Sequence, residues 1–327
     1  MKIVLLHSAD AAEPPVDPVI EQIRDALVCA HHDVAVQTTH DDAVALATEI
    51  RSCAPDLVFN IAESFNGKSA LESNVAALLN LLGCRYTGSS PSGLILAGDK
   101  ALTKKLLQFH GVRTPEFAVT YRGALDWAGD LDFPMIVKPP QEDGSIGIEA
   151  HSLVRDVKGL LERIDALQSE FGQPVLVEEF VDGREFYVGV LGNENAEALP
   201  IMELDFSGLP ADLPRIASWD VKWGDDSAGG GAAFSGTRSV FPRDLDEELA
   251  NRMRHVATEA FHALRLRDYA RIDLRVTANG DVYVIEVNPN CYLEREGEFA
   301  RAAARCGLDH PALIERIVEL AVARYAR

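Results

Sequence analysis

Two short segments near the carboxyl end of the chain carry residue types that can bind a metal ion. Arg271 and Asp273 are two positions apart, and Glu286 and Asn288 repeat that spacing shortly afterwards. Side chains two apart on a β-strand lie on the same face, so two adjacent antiparallel strands would gather them into one patch. Oxygen atoms are the ligands that Mg²⁺ prefers. The spacing therefore predicts a magnesium site, although a solvent-exposed hairpin with an ordinary salt bridge would have the same pattern.

A lysine followed by a glycine-containing loop predicts contact with phosphate groups. Lys138 ends an apolar segment, and Gly144, Ser145 and Gly147 follow within ten residues. A lysine at the end of a buried strand can reach phosphate oxygens while backbone N–H groups of the loop cover them. The segment lacks the spacing of a Walker motif. Taken alone, it is also compatible with an ordinary surface loop.

A third segment has the features of a site for a nucleoside. Residues 175–181 run Val-Leu-Val-Glu-Glu-Phe-Val, and Glu185 follows. Backbone groups at the end of such a strand could bind an adenine edge, and a carboxylate a few residues later could accept hydrogen bonds from ribose hydroxyls. A strand with an exposed acidic end is the alternative.

Composition and charge exclude several classes of function. The formal net charge is −20, which disfavours binding to nucleic acid and to anionic membranes, since both require clustered positive charge. No apolar stretch approaches the roughly 20 residues that span a bilayer, and the apolar run after Lys2 is too short for a signal peptide. The five cysteines are scattered without a Cys-x-x-Cys pair, which favours reduced thiols in the cytoplasm.

The elements that position these groups follow from the apolar pattern. Strands at 2–6, 33–37 and 57–60 alternate with helices at 18–30, 42–53 and 71–82, which predicts a parallel α/β sheet. Further along, the pattern predicts helices at 99–111, 157–171, 245–264 and 310–326, and strands at 115–120, 134–138, 175–180 and 185–191. Strands 271–277 and 282–287 flank Asn279-Gly280, a strong hairpin signal. The irregular stretch 208–236 is predicted to be a functional loop.

In the order and spacing of its short motifs, the chain resembles the ATP-grasp superfamily and, within it, the D-alanine–D-alanine ligases. The resemblance covers nearly the whole chain. It rests on Tyr86-Thr87-Gly88-Ser89, Gly98-Asp99-Lys100, Ile136-Val137-Lys138-Pro139, Leu176-Val177-Glu178-Glu179-Phe180 with Glu185-Phe186, Arg271-Ile272-Asp273 and Ile285-Glu286-Val287-Asn288. It implies an N-terminal parallel α/β domain (1–98) followed by two α+β ATP-grasp lobes, a central one with a glycine-rich lid (99–176) and a C-terminal one with a metal site (177–327).

The resemblance also implies roles at the phosphate end of the nucleotide. Lys100 and Lys138 are expected to contact the phosphates, and Lys222, in the predicted loop, to reach the γ-phosphate. The lid over the β- and γ-phosphates is expected to contain Gly144, Ser145 and Gly147. The residues expected to act on the reacting groups are Arg271, which would stabilise an oxyanion, Lys222 and Ser145.

The adenosine and metal contacts are implied in the same way. The adenine edge is expected to meet the backbone around Glu178, Glu179 and Val181, and Glu185 is expected to bind the ribose. The expected metal ligands are Asp273, Glu286 and Asn288. The implied cofactors are ATP and two Mg²⁺ ions, with Mn²⁺ as a substitute, and the implied assembly is a homodimer.

The chain departs from the family at both amino-acid subsites. After the first strand, Ser8 leads into Ala-Asp-Ala-Ala-Glu-Pro instead of the family's Ser-x-Glu-His type stretch. Two positions where the family has hydroxyl groups hold Gly144 and Trp223. After Asn288, the chain continues Pro-Asn-Cys-Tyr-Leu-Glu-Arg-Glu, where the family has a compact glycine-containing clamp for a carboxylate. The nucleotide half is retained, while the subsites for the amino acids differ.

We therefore expect an ATP-dependent ligase that joins a small-molecule carboxylate to an amine through an acyl phosphate. Lysines and magnesium would offset the charge of the triphosphate, and a closed lid would keep water from the acyl phosphate. D-amino acids and other carboxylate–amine pairs of peptide-like metabolites remain alternative substrates. A nucleotide-binding protein that has lost ligation is the remaining alternative, and the retained magnesium-type ligands argue against it.

Overall fold

A computed structural model describes residues 1–8, 17–121, 124–127, 131–142, 144–172, 174–210, 213–218 and 237–326. Three units follow one another along the chain, and each contains one β-sheet. Within the described residues, no helix is long and apolar enough to cross a membrane.

The first unit is the predicted parallel α/β sheet. Its three strands are parallel, and the first strand in the chain lies in the middle of the sheet. Helices α1, α2 and α4 begin at acidic or hydroxyl caps; the carboxylate of Asp42, for example, accepts hydrogen bonds from two backbone N–H groups. The elements are β1 (Lys2–His7), α1 (Pro18–Cys29), β2 (Asp33–Thr38), α2 (Ala43–Cys53), β3 (Leu57–Ile61), α3 (Glu72–Leu81) and α4 (Pro91–Ala97).

The second unit is an antiparallel sheet covered by a helix. The strand order is β5-β4-β8-β6-β7, and the long helix α6 packs Leu167 against the apolar face of this sheet. The sequence-based boundary at residue 176 falls inside β8. The elements are α5 (Lys100–Phe109), β4 (Phe117–Tyr121), β5 (Ala124–Trp127), β6 (Met135–Lys138), β7 (Leu153–Val154), α6 (Val157–Phe171) and β8 (Val175–Glu179).

The third unit contains the predicted hairpin. Its antiparallel sheet has the order β12-β11-β9-β13-β14, with β10 also paired to β9. The sequence predicts β8 and β9 as two consecutive strands, and in the structure they belong to different sheets. The elements are β9 (Arg184–Gly192), β10 (Glu197–Ala198), β11 (Met202–Asp205), β12 (Arg238–Val240), α7 (Glu247–Ala263), β13 (Asp268–Val276), β14 (Val282–Pro289), α8 (Glu298–Arg305) and α9 (His310–Tyr325).

The third sheet is buried on both faces and is joined to the first unit through a shared core. One face packs against α7, including Phe261, and the other packs against α8 and α9 together with β1 and α1. A buried ion pair between Asp268 and Arg324, 2.9 Å apart, lies at this junction. The Asp268 carboxylate also accepts a hydrogen bond from the Gly88 N–H. The first and third units are therefore held in one fixed arrangement.

Candidate functional site

The central and C-terminal sheets face each other across a cleft. Chain segment 179–183 leaves β8 in one sheet and enters β9 in the other, so it forms one end of the cleft. One part of the lining is apolar: Pro115, Ile136, Ile148, Phe180, Val181, Ile216, Ala217 and Ile285. The other part is polar or charged: Lys138, Ser145, Glu178, Glu179, Glu185, Asp273, Arg275 and Glu286. A flat apolar group and a polyanion could therefore lie side by side here.

The hairpin of β13 and β14 brings the predicted metal ligands together. Asp273 pairs with Glu286, and Arg271 pairs with Asn288, as the spacing predicted. The register shifts between Asp273 and Leu274, which marks a β-bulge. In a regular strand, successive side chains point to opposite faces, but Ile285 and Glu286 both line the cleft. The bulge therefore allows two consecutive side chains, Ile285 and Glu286, to face the cleft.

Arg271 is held by two carboxylates. Its guanidinium donates two hydrogen bonds to Asp273, at 2.7 and 2.9 Å, and lies 3.7 Å from Glu298 at the start of α8. The group also stacks 4.7 Å from the centre of the Tyr187 ring. Burial lowers the pKa of Arg271, but the attraction of Asp273 outweighs burial, so the net pKa lies well above its usual value. Arg271 is therefore a fixed cation beside the metal-type ligands.

Lys100 contacts the same group of ligands from the other side. It is the first residue of α5, whose amino end is capped by Asp99, and its backbone N–H donates to the Pro140 carbonyl at 2.9 Å. Its ammonium group lies 3.0 Å from Glu286 and also donates to the carbonyl of Glu142. The helix cap and the backbone contact together fix this lysine between the loop and the hairpin.

A buried carboxylate, Glu178, is shared by two lysines. Lys138 lies 3.0 Å from one oxygen of Glu178, and Lys104 lies 3.0 Å from the other. Burial raises the pKa of Glu178, yet the two ammonium groups outweigh burial, and the net pKa lies below its usual value. Lys104 belongs to none of the predicted motifs, although its position one helical turn after Lys100 places both lysines on one face of α5.

Glu185, at the start of β9, is fixed in a similar way. Its carboxylate lies 2.9 Å from Arg275 and accepts a hydrogen bond from the Tyr187 hydroxyl at 3.1 Å. All three side chains are almost fully buried. Burial, followed by the nearby Glu185 carboxylate, raises the pKa of Tyr187 well above its usual value, so this hydroxyl stays protonated and able to donate. The sequence did not indicate either partner.

The glycine-containing loop lies against the cleft. Ser145 lines it with a backbone φ of +67°, and its hydroxyl donates to the Ala217 carbonyl at 2.7 Å. Gly147 has a φ of +71°, and a Cβ there would lie 2.9 Å from the Pro139 ring, so the close approach requires glycine. Gly144, with a φ of +62°, meets no neighbour at its Cβ position. Glu179 and Val181 line the cleft as well. Lys222 and Trp223 lie outside the described residues.

The hairpin has donors that suit a hard cation but does not enclose one alone. No group of three or more His, Cys, Asp or Glu side chains with a metal-binding arrangement occurs among the described residues. The hairpin offers two carboxylates and the amide of Asn288, whose nitrogen is buried and has no hydrogen-bond partner in the described part of the chain. Oxygen donors of this kind fit Mg²⁺, which commonly binds between one or two carboxylates and the phosphates of a substrate.

Similar proteins point to one family. A family model described as the D-ala D-ala ligase C-terminus matches residues 106–319. An uncharacterised protein, y4sG, of Sinorhizobium fredii is 33% identical over 96% of this chain and 91% of its own length. The D-alanine–D-alanine ligase of Nitratidesulfovibrio vulgaris is 30% identical over the full length of both chains. The crystal structure of the Bacillus anthracis D-alanine–D-alanine ligase complexed with ATP matches the fold, with a TM-score of 0.75, 20% identity, and 100% and 99% coverage of the two chains.

The chain belongs to the D-alanine–D-alanine ligase family. The resemblance predicted from the sequence motifs, and the fold that it implied, are both confirmed. The protein is thus an ATP-dependent ligase of the carbon–nitrogen bond-forming class, and ligases of this family use ATP and Mg²⁺.

Proposed function

We propose that this ligase activates a small carboxylate with ATP in the cleft between the central and C-terminal sheets and then joins it to an amine. The observation that carries the proposal is the convergence of Lys138 from one sheet, Lys100 from α5 and the Asp273–Glu286 pair from the other sheet on this cleft. Cations and hard oxygen ligands of this kind are the groups that suit a magnesium-bound triphosphate, and this supports the proposal.

The nucleotide would lie with its base against the apolar lining and its ribose at Glu185. The backbone of Val181, which lines the cleft just after β8 where the chain crosses between the two sheets, would bind the adenine edge, whereas the Glu179 N–H already donates to the Glu116 carbonyl at 2.9 Å. The fixed Glu185 carboxylate would accept hydrogen bonds from the ribose hydroxyls. Lys100 and Lys138 would contact the phosphates, and the loop at Ser145 would cover them.

Asp273, Glu286 and Asn288 would hold the magnesium, with two ions as the expected number. When bound, the metal neutralises phosphate charge and orients the reacting phosphoryl group. In the structure, the oxygens of Asp273 and Glu286 are paired with Arg271 and Lys100. The side chains of Arg271 and Lys100 would therefore shift part of their interaction to the phosphates and to the substrate carboxylate as the nucleotide complex forms.

The reaction that fits this site has two stages. The γ-phosphoryl group is transferred to a substrate carboxylate, which gives an acyl phosphate and ADP. An amine then attacks the acyl carbon, the tetrahedral oxyanion is stabilised by the Arg271 guanidinium, and phosphate leaves. Lys222, in the loop expected to close over the site, would add a further positive charge during the first stage.

We further propose that the substrates differ from two molecules of D-alanine. The segment after Asn290 does not form an open glycine-containing clamp. Instead, Cys291 is buried, and the Tyr292 hydroxyl donates to Asp17 at 2.7 Å. Glu294 accepts a hydrogen bond from Gln22 at 3.1 Å. These contacts tie the segment to α1, and if the segment borders the amino-acid subsite as proposed, larger and charged side chains would form its wall. We propose an acceptor that is larger than alanine or carries a cation.

The environment and assembly proposed for the ligase are the cytoplasm and a homodimer. The five cysteines are free, which suits a reducing compartment. Small-molecule carboxylates and amines are the expected partners, and the overall negative charge argues against nucleic acid.

The test is release of ADP from ATP and Mg²⁺ over a panel of carboxylates and amines, including D-alanine, L-amino acids, β-amino acids, dipeptides and diamines. Hydroxylamine in place of the amine should trap the acyl phosphate as a hydroxamate in amounts equal to ADP. If no carboxylate in the panel stimulates ADP release while Mg²⁺–ATP is bound, the proposed ligation is wrong.

A further inference from the structure

A buried lysine that does not line the cleft is connected to one that does. Lys104, on α5, lies 3.0 Å from Glu178, and Glu178 lies 3.0 Å from Lys138, whose side chain lines the cleft. The side chains of Lys104 and Glu178 are each only 2% exposed. Glu178 therefore binds one cation on each of its oxygens, and the second cation is the one nearest the expected phosphates.

The net charge of Lys104, Glu178 and Lys138 depends on whether Lys104 is present and protonated. Two lysines and one glutamate give the group a net charge of +1 while Lys104 is protonated. Without Lys104, the carboxylate of Glu178 would be balanced by Lys138 alone, and the group would be neutral. Water cannot screen this change well, because all three side chains are buried. The positive charge that Lys138 presents to the cleft thus depends on a residue behind it.

We propose that Lys104 is a positioning residue for the nucleotide: by neutralising Glu178, it leaves the charge of Lys138 available to the phosphate groups. The proposal rests on the proposed function, since it assumes that phosphates occupy the cleft. It adds a specific role for a lysine that the sequence motifs do not include.

The ionisation of Lys104 supports this role. Burial lowers the pKa of Lys104 to about 8, although the Glu178 carboxylate opposes that shift. The other charges that act on it are Lys138 on β6, which lowers its pKa, and Glu286 on β14, which raises it. As pH rises through this value, Lys104 loses its proton and the net charge of the group falls. Nucleotide affinity should therefore weaken in the same pH range.

The test is calorimetric titration of the full chain with a non-hydrolysable ATP analogue and Mg²⁺ at pH 7.0. Lys104→Met should weaken binding about tenfold, which corresponds to about 1.4 kcal/mol. The double variant Lys104→Met with Glu178→Gln restores the net charge to +1 and should recover most of that loss. The control is Lys105→Met, the same substitution at the exposed neighbouring position, which should change affinity less than about twofold.

The double variant separates charge from packing. If Lys104 only supports the fold, removing Glu178 as well should not restore affinity, and equal losses in the single and double variants would overturn the proposal. If Lys104→Met does not fold, the comparison is between the wild-type chain and Lys104→Arg at pH 9.5, where Lys104 has lost its proton and the arginine is still charged. Lys104→Arg should then bind the nucleotide about tenfold more tightly than the wild-type chain, and equal affinities would overturn the proposal.

A pH series gives an independent readout. Between pH 7.5 and 9.5, the affinity of the wild-type chain should fall, whereas Lys104→Arg, whose guanidinium stays protonated, should show a smaller fall. Identical pH profiles for the two chains would contradict the role of Lys104. A wild-type chain that binds no nucleotide at all would instead refute the proposed function.

Discussion

Replacing Glu286 by glutamine removes one negative charge from the hairpin and keeps the shape of the side chain. The carboxylate lies 3.0 Å from Lys100, and the side chains of the lysine and the glutamate are 6% and 20% exposed. Losing one partner of a fully buried ion pair costs about 3–5 kcal/mol. Because Glu286 is partly exposed and Lys100 retains the Glu142 carbonyl, we expect a loss of stability of about 2–3 kcal/mol.

The effect on catalysis should be larger. A carboxylate that holds magnesium against the triphosphate stabilises charge in the transition state, and loss of one such group lowers turnover by about 100-fold to 1,000-fold. The assay is ADP release with the best substrate pair from the panel. In parallel, calorimetry should show that Mg²⁺ no longer strengthens binding of the ATP analogue.

Glu203→Gln is the matched control. Glu203 lies on β11 of the same sheet, forms a 2.6 Å ion pair with Arg184, and has a side chain that is 15% exposed. Denaturant unfolding should show a similar or smaller loss of stability, because Arg184 is more exposed than Lys100. ADP release should be unchanged. Near-normal ADP release by Glu286→Gln, or an equal loss in both variants, would refute the assignment of Glu286 as a metal ligand.

Three further predictions concern the fold, the ribose contact and the substrate. Arg324→Met leaves the buried Asp268 without its ion pair and should lower the free energy of unfolding by about 3–5 kcal/mol, measured with denaturant. Arg316→Met, on the exposed face of α9, is the control and should lower it by under about 1 kcal/mol. Similar losses in the two variants would refute the stabilising role of the Asp268–Arg324 pair. Glu185→Gln should reduce the preference for ATP over 2′,3′-dideoxy-ATP by about tenfold in competition binding, and an unchanged ratio would exclude the ribose contact. D-Alanine alone should be a poor substrate in the ADP assay; the highest kcat/KM in the panel would contradict the altered subsites.

The hairpin shows how much of this protein could be predicted from its sequence. The two-residue spacing at Arg271–Asp273 and Glu286–Asn288, with an Asn-Gly turn between the strands, predicted facing strands, and the structure pairs these residues. The helix predicted at 157–171 has the same limits as α6. These predictions succeeded because they depend on local periodicity and turn chemistry.

Other features depend on contacts that are distant in sequence. Strands β8 and β9 are consecutive, yet they enter different sheets, and no local pattern distinguishes this crossing from a hairpin. The short helices α4 and α8 were not predicted, since seven or eight residues give little periodic signal. Lys104 was missed because its partner, Glu178, lies more than seventy residues away and the pairing exists only once α5 packs against the central sheet.

The central claim is that the cleft between the two sheets binds Mg²⁺–ATP. The most direct measurement is calorimetric titration of the full chain with a non-hydrolysable ATP analogue, with and without Mg²⁺, together with the shift in unfolding temperature. We predict one nucleotide per chain, tighter binding with Mg²⁺, and a higher unfolding temperature, because a ligand of the native state must stabilise it. No heat of binding and no thermal stabilisation at millimolar nucleotide would contradict the claim.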